Sequence, residues 1–149
     1  MTQRMIVGVD GSESAHRAVE WAARECEMRN DRLELVAVWE VPMGTMGFGY
    51  GLAVMPEETM NELRAGTEEI LATAAAEARK VAPDVVIETR AVEGQAADVL
   101  VDESKDAAML VVGSRGRAGF RELLLGSVSQ RCAHHAACPV VIVRSERAA

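Results

Sequence analysis

The sequence predicts an α/β fold: one parallel sheet with helices on both faces. Three observations carry this. Short apolar runs of strand length recur five times along the chain. Stretches with apolar residues at helical spacing separate them. The two kinds alternate as βαβαβαβαβ, which places the strands in a parallel sheet and the helices against its faces. With 149 residues and no linker or internal repeat, residues 1–149 form one domain of ordinary size.

Each element has its own signature. "RMIVGVD" (4–10) is a short buried strand. "SAHRAVEWAARECEMR" (14–29) sets Ala15, Ala18, Val19, Ala22 and Cys26 on one helical face, with Ser12 or Ser14 as its cap. "RLELVAVWE" (32–40) is the second strand. Residues 41–56, rich in Gly and Met between two prolines, read as a long loop that serves either as an apolar lid or as a disordered insertion. Residues 57–82 form a long helix, opened by acids that suit its dipole, with Met60, Leu63, Ile70, Ala74 and Ala78 facing inward. "DVVIETRAV" (84–92) alternates as a strand with one wetter face, and 95–105 is a short helix. "AAMLVVG" (107–113) is the fourth strand, 127–137 the last helix, and "PVVIVR" (139–144) the last strand, with Pro139 at its tolerated first position. The tail from Ser145 frays.

Composition narrows the function. The net charge of −7 excludes a general nucleic-acid binder, which needs a basic surface. The N-terminal apolar run ends within a few residues, so no signal peptide is expected. No stretch reaches the roughly 18 apolar residues of a membrane span. Cys26, Cys132 and Cys138 form no C-x-x-C pair, so a reducing cytoplasm is the expected compartment. Cys132, His135 and Cys138 recur every three residues, but one helix that must also pack on a sheet cannot readily gather a zinc ligand set, and the thiols read as small core residues. His16 reads as a surface residue.

The chemistry concentrates in "VVGSRGRAGFRELLLGSVS" (111–129). Gly113 and Gly116 follow a strand, and Gly126 precedes a helix that starts with Ser127, Val128 and Ser129. Glycines let backbone approach a ligand closely. A helix start offers free N–H groups and a positive dipole end to an anion. Ser127 and Ser129 add hydroxyls, and Arg115, Arg117 and Arg121 make the stretch locally cationic. These are the parts of a phosphate cradle, and at least one of the arginines is expected to touch phosphate. The G-x-x-x-x-G-K-[ST] loop and the G-x-G-x-x-G fingerprint are both absent.

Gly113, Gly116, Gly126 and Ser127 make the pattern G-x-x-G, nine residues, G-S. It resembles the ATP-binding motif of the universal stress protein family. "IVGVDGSESA", "LVAVWE", "EGQAADVLVDES" and "HAACPVVIVR" extend the likeness over nearly the whole chain. The resemblance implies a Rossmann-like, five-stranded sheet of order 3-2-1-4-5, the ATP-binding branch of the family, and a homodimer. It implies that Gly8, Val9 and Asp10 lie near ribose and base, and that Val38 meets the adenine through its backbone. Gly113, Arg115 and Gly116 would lie along the phosphates, with Gly126, Ser127, Val128 and Ser129 at the helix start. Family members often carry a histidine where Arg115 stands. Asp10 either caps the next helix, holds ribose, or holds a Mg²⁺ that accompanies the phosphates. AMP and cyclic AMP stay open beside ATP, because the motif argues for a phosphate more firmly than for three. No activated nucleophile and no lysine near the glycines argues for binding over turnover, with ATP hydrolysis slow at most. The other classes left open are an interaction protein with a structural glycine loop and an adenylating or pyrophosphatase-type enzyme of the same strand order, whose S-G-G-x-D-S after the first strand "DGSES" does not match. The apolar strand 139–144 would lie at a sheet edge and is expected to pair with its copy in the homodimer.

Overall fold

The computed structural model describes residues 2–41, 55–116 and 125–145. Five strands, β1 (Arg4–Gly8), β2 (Arg32–Trp39), β3 (Ile87–Glu93), β4 (Met109–Gly113) and β5 (Val140–Val143), alternate with four helices, α1 (Glu13–Arg29), α2 (Glu57–Val81), α3 (Ala96–Glu103) and α4 (Ser127–His135). All strand pairs are parallel, and the order is β3-β2-β1-β4-β5. Fold class and strand order are those expected. The chain leaves β1 toward one side of the sheet and returns at β4 on the other. The order therefore reverses between β1 and β4, where open α/β sheets leave a crevice beyond the strand ends.

Alternate strand residues point to opposite faces. Val7, Leu35 and Val111 pack under α1 and α2, against Ala18, Val19, Ala22, Cys26, Leu71 and Ala78. Ile6, Val36, Leu110 and Val112 pack under α3 and α4, against Leu100 and Cys132. The predicted inner face of α1 is buried throughout. Ser12 caps α1, accepting from the Ala15 N–H at 3.2 Å. Asn30 ends it in the left-handed conformation (φ 59°) that asparagine tolerates.

One strand start and one buried face differ most from expectation. β3 starts at Ile87 rather than Asp84, and Val86 is 62% exposed. Val85, Val86 and Ile87 are three apolar residues in a row, so alternation alone could not choose a register. In α2 the buried residues are Thr67, Leu71, Ala74, Ala75 and Ala78. Met60, Leu63 and Ile70 are only half-buried, because the first half of α2 borders an open groove. Thr67 is tolerated inside because its hydroxyl donates to the Leu63 carbonyl at 2.9 Å. The expected long loop lies almost wholly in 42–54, and the frayed tail in 146–149, both outside the described residues.

One charge sits in the sheet interior. Glu34 of β2 is 3% exposed, and its carboxylate takes Arg4 Nη1 at 3.1 Å and Arg90 Nη1 at 2.9 Å. Both arginines also reach Glu103, at 3.3 and 2.9 Å. Arg4 Nη2 donates to the Glu103 carbonyl at 2.8 Å, which ties the end of α3 to the sheet. Two acids and two bases close a neutral ring, which is what lets a carboxylate survive burial. Hydrogen bonds to Glu103 and Glu34 raise the Arg90 pKa further.

The thiols divide by environment. Burial pushes Cys26 from 9.0 to about 12 and Cys132 to about 11, and also raises half-exposed Cys138. An alkylating reagent at pH 8 is expected to modify Cys138 alone in the folded protein, as read by peptide mass spectrometry. In the unfolded chain all three should react. The buried thiols also set a pH limit. Above about pH 9 an unfolded thiol ionises while Cys26 keeps its proton up to about 12, so stability should fall as pH rises through that window.

Candidate functional site

A cavity of about 380 Å³ opens at the carboxyl ends of β1, β2 and β4, where the strand order reverses. All eleven residues expected at a nucleotide site line it: Gly8, Val9, Asp10, Val38, Gly113, Arg115, Gly116, Gly126, Ser127, Val128 and Ser129.

One half is apolar. Val36 and Val38 come from β2, Val112 from β4, and Ala96 and Leu100 from α3. Gly8 lets α3 come close: a Cβ there would stand 2.7 Å from Leu100 Cδ1. Such walls suit a flat aromatic group. The sequence motif did not reveal the α3 and β4 side chains. Their only signal is position, at strand ends and at the start of the helix that crosses over the switch point.

The other half is polar. Gly11 takes φ 81° in the β1–α1 turn, and Asp10 Oδ1 accepts the Ser12 N–H at 2.9 Å. Ser12, not Asp10, caps α1. The second oxygen of Asp10 faces Gly116, where a Cβ would lie 3.1 Å from it. Past β4, the Ser114 N–H donates to the Val143 carbonyl at 2.8 Å. The Gly126 N–H closes the loop onto the Ser114 carbonyl at 2.6 Å. Helix α4 then begins with no side-chain cap, so its first N–H groups face the cavity with the positive end of the dipole. Exposed Ser127 adds a hydroxyl. Arg115 brings a guanidinium whose Nε is buried and has no hydrogen-bond partner among the described residues.

Two residues are used differently from expectation. The Ser129 hydroxyl turns inward and donates to the carbonyls of Ser114 (3.1 Å) and Gly126 (3.0 Å), so it fixes the loop and does not face the cavity as a donor. Gly113 is glycine because of packing: a Cβ would lie 2.7 Å from the Ala15 nitrogen of α1. Arg117 and Arg121 lie outside the described residues.

The donor set fits a phosphate ester better than a metal alone. Among the described residues no group of three His, Cys, Asp or Glu side chains could hold an ion. Asp10 is the single carboxylate among the described residues lining the cavity, so a Mg²⁺ here would be held chiefly by its ligand. Cys132 is fully buried in the core. A second, larger groove of about 710 Å³ shares Asp10 and Val38 and runs along α2. Glu40, Glu62 and Glu69 line it, so its charge disfavours an anionic ligand. No helix of the described residues is long and apolar enough to cross a membrane.

Comparison with known proteins agrees with this geometry. The model of the universal stress protein family matches residues 1–144. A universal stress protein of Mycobacterium tuberculosis is 36% identical over 150 residues, which cover 95% of this chain and 48% of the relative. The chain thus spans about half the length of the mycobacterial relatives it matches. The crystal structure of a universal stress protein in complex with cAMP aligns with a TM-score of 0.72 at 28% identity, covering 97% of this chain and 98% of the other. The universal stress protein of Archaeoglobus fulgidus in complex with dAMP aligns with a TM-score of 0.65 at 25% identity, covering 95% and 97%.

Proposed function

This chain belongs to the universal stress protein family, and from that premise we propose that it binds an adenine nucleotide, ATP first, in the cavity at the β1/β4 switch point. The observation that carries this is the uncapped start of α4 lining one cavity with Arg115 and Gly116, opposite apolar walls. The base would lie between Val38 and Leu100, the ribose at Asp10. The phosphates would lie along Gly116, Arg115 and the N–H groups of Ser127, Val128 and Ser129. Relatives of this fold in complex with cAMP and dAMP support an adenine ligand with at least one phosphate, so AMP and cyclic AMP are the second reading. Mg²⁺ would accompany ATP beside Asp10.

The mechanism is binding. A ligand that prefers one conformation or assembly shifts the population toward it by its differential affinity. At a hundredfold excess over Kd it also stabilises the folded protein by about 2.7 kcal/mol. We place this activity in the cytoplasm as a stress-response regulator, where free Cys26, Cys132 and Cys138 stay reduced. The test is to identify what the purified protein releases on denaturation, then titrate the emptied protein with ATP, AMP and cyclic AMP by calorimetry. Failure of all three to bind would sink the proposal.

We further propose a homodimer through β5. The two sheet edges differ. β3 carries exposed Glu88 and Arg90, charges that discourage pairing, while β5 is four half-buried apolar residues. The carbonyls of Pro139 and Val143 bond β4, so alternation sends the N–H and C=O of Val140 and Ile142 to the open side. Ile142→Pro is therefore expected to shift the protein from dimer to monomer in sedimentation experiments. A parent that sediments as a monomer at micromolar concentration would refute the dimer and leave the nucleotide site standing.

A further inference from the structure

Ser14 has no task in its own helix. It sits in the first turn of α1, 2% exposed, but Ser12 already supplies the cap. The Ser14 hydroxyl instead crosses to the loop after β4. It donates to the Arg115 carbonyl at 2.6 Å and accepts the Arg115 N–H at 3.3 Å. Ser12 Oγ donates to the same carbonyl at 3.2 Å. Both backbone polar groups of Arg115 are thus held by a helix 101 residues away in sequence. Gly113 makes the approach feasible, since any Cβ there would press on the Ser14–Ala15 backbone at 2.7 Å.

We propose that Ser14 is a positioning residue for the phosphate end of the site: its hydroxyl latches the Gly113–Gly116 loop in the ligand-ready form before any ligand arrives. The inference rests on nucleotide binding at this cavity. A loop fixed in advance does not charge its ordering entropy to the ligand. The latch acts where phosphate would sit. The walls for the base, Val38 and Leu100, belong to β2 and α3 and are untouched by it.

The test compares AMP with adenosine. In Ser14→Ala, AMP affinity by calorimetry is expected to fall about tenfold, the scale of a lost buried hydrogen-bonded anchor. Adenosine affinity should stay within about twofold of the parent. Equal weakening of both ligands means that Ser14 only supports the fold, and overturns the latch. Unchanged AMP affinity overturns it as well. A parent that binds adenosine but gains nothing from the phosphate of AMP refutes the phosphate cradle itself, and the latch with it. If Ser14→Ala does not fold, hydrogen exchange of the ligand-free parent decides. The Arg115 amide should be protected well above a solvent-exposed loop amide, and exchange at the loop rate overturns the proposal.

Discussion

The double variant Gly126→Ala/Ser127→Ala is expected to bind nucleotide roughly a hundredfold more weakly than the parent, a loss of about 2.7 kcal/mol. Two effects add. Removing the Ser127 hydroxyl deletes a donor to a charged oxygen, and such bonds are worth roughly 1.5–3 kcal/mol. A Cβ on Gly126 would lie 3.3 Å from Arg115 Cα and 3.4 Å from the Ser114 carbonyl oxygen, so the loop must retreat by a few tenths of an ångström. That displaces Arg115 and Gly116 from their place beside the helix start. The fold should survive. Gly126 has φ −74° and ψ 168°, a conformation open to any residue. Losing a glycine cap costs about 1 kcal/mol at most. Calorimetric titration of the folded variant checks it, with Ser127→Ala alone separating the two effects. Parent-like affinity in the double variant would mean that nucleotide does not sit at this helix start.

The second large effect concerns stability. Glu34→Ala is expected to cost about 3 kcal/mol, because it leaves Arg4 and Arg90 sharing Glu103 alone at the sheet interior. For a domain of this size that lowers the melting temperature by roughly 6–12 °C. Arg90→Ala should cost far less, near or below about 1 kcal/mol, since Arg90 is 44% exposed and water screens its pairs. Replacing Arg4 and Glu34 together by methionine and leucine should recover much of the loss, because no charge on β1 or β2 is then stranded. Chemical denaturation at pH 7 measures all three. Equal losses for Glu34→Ala and Arg90→Ala would contradict the screening of Arg90 by water.

These two sites show what sequence can and cannot carry. Gly116, Gly126 and Ser127, which line one cavity, could be singled out because the cradle pattern is written as fixed local spacing in one segment. The helices and strands were legible for the same reason, since periodicity is local. Glu34 was not. Its partners Arg4 and Arg90 lie 30 and 56 residues away, and nothing in "RLELVAVWE" marks one glutamate as buried. The choice between Ser12 and Ser14 as cap, and the task of the Ser129 hydroxyl, were not legible. A serine near a helix start reads as a cap or a ligand donor, and only the fold shows that each hydroxyl is spent on a distant or neighbouring carbonyl. Leu100 and Val112 were missed because an apolar wall is chemically indistinguishable from core until the cavity beside it exists.

Arg115 is held by its main chain, through a carbonyl and an N–H that every amino acid except proline possesses in full. The side chain contributes nothing to that grip. Position 115 is therefore free to drift over generations without disturbing the loop that carries it. A guanidinium, an imidazole or a neutral amide could stand at the same spot, each meeting the proposed phosphate in a different way. Selection on ligand preference and selection on folding act there on separate atoms, so one codon can retune what the cavity holds while the architecture around it is inherited unchanged.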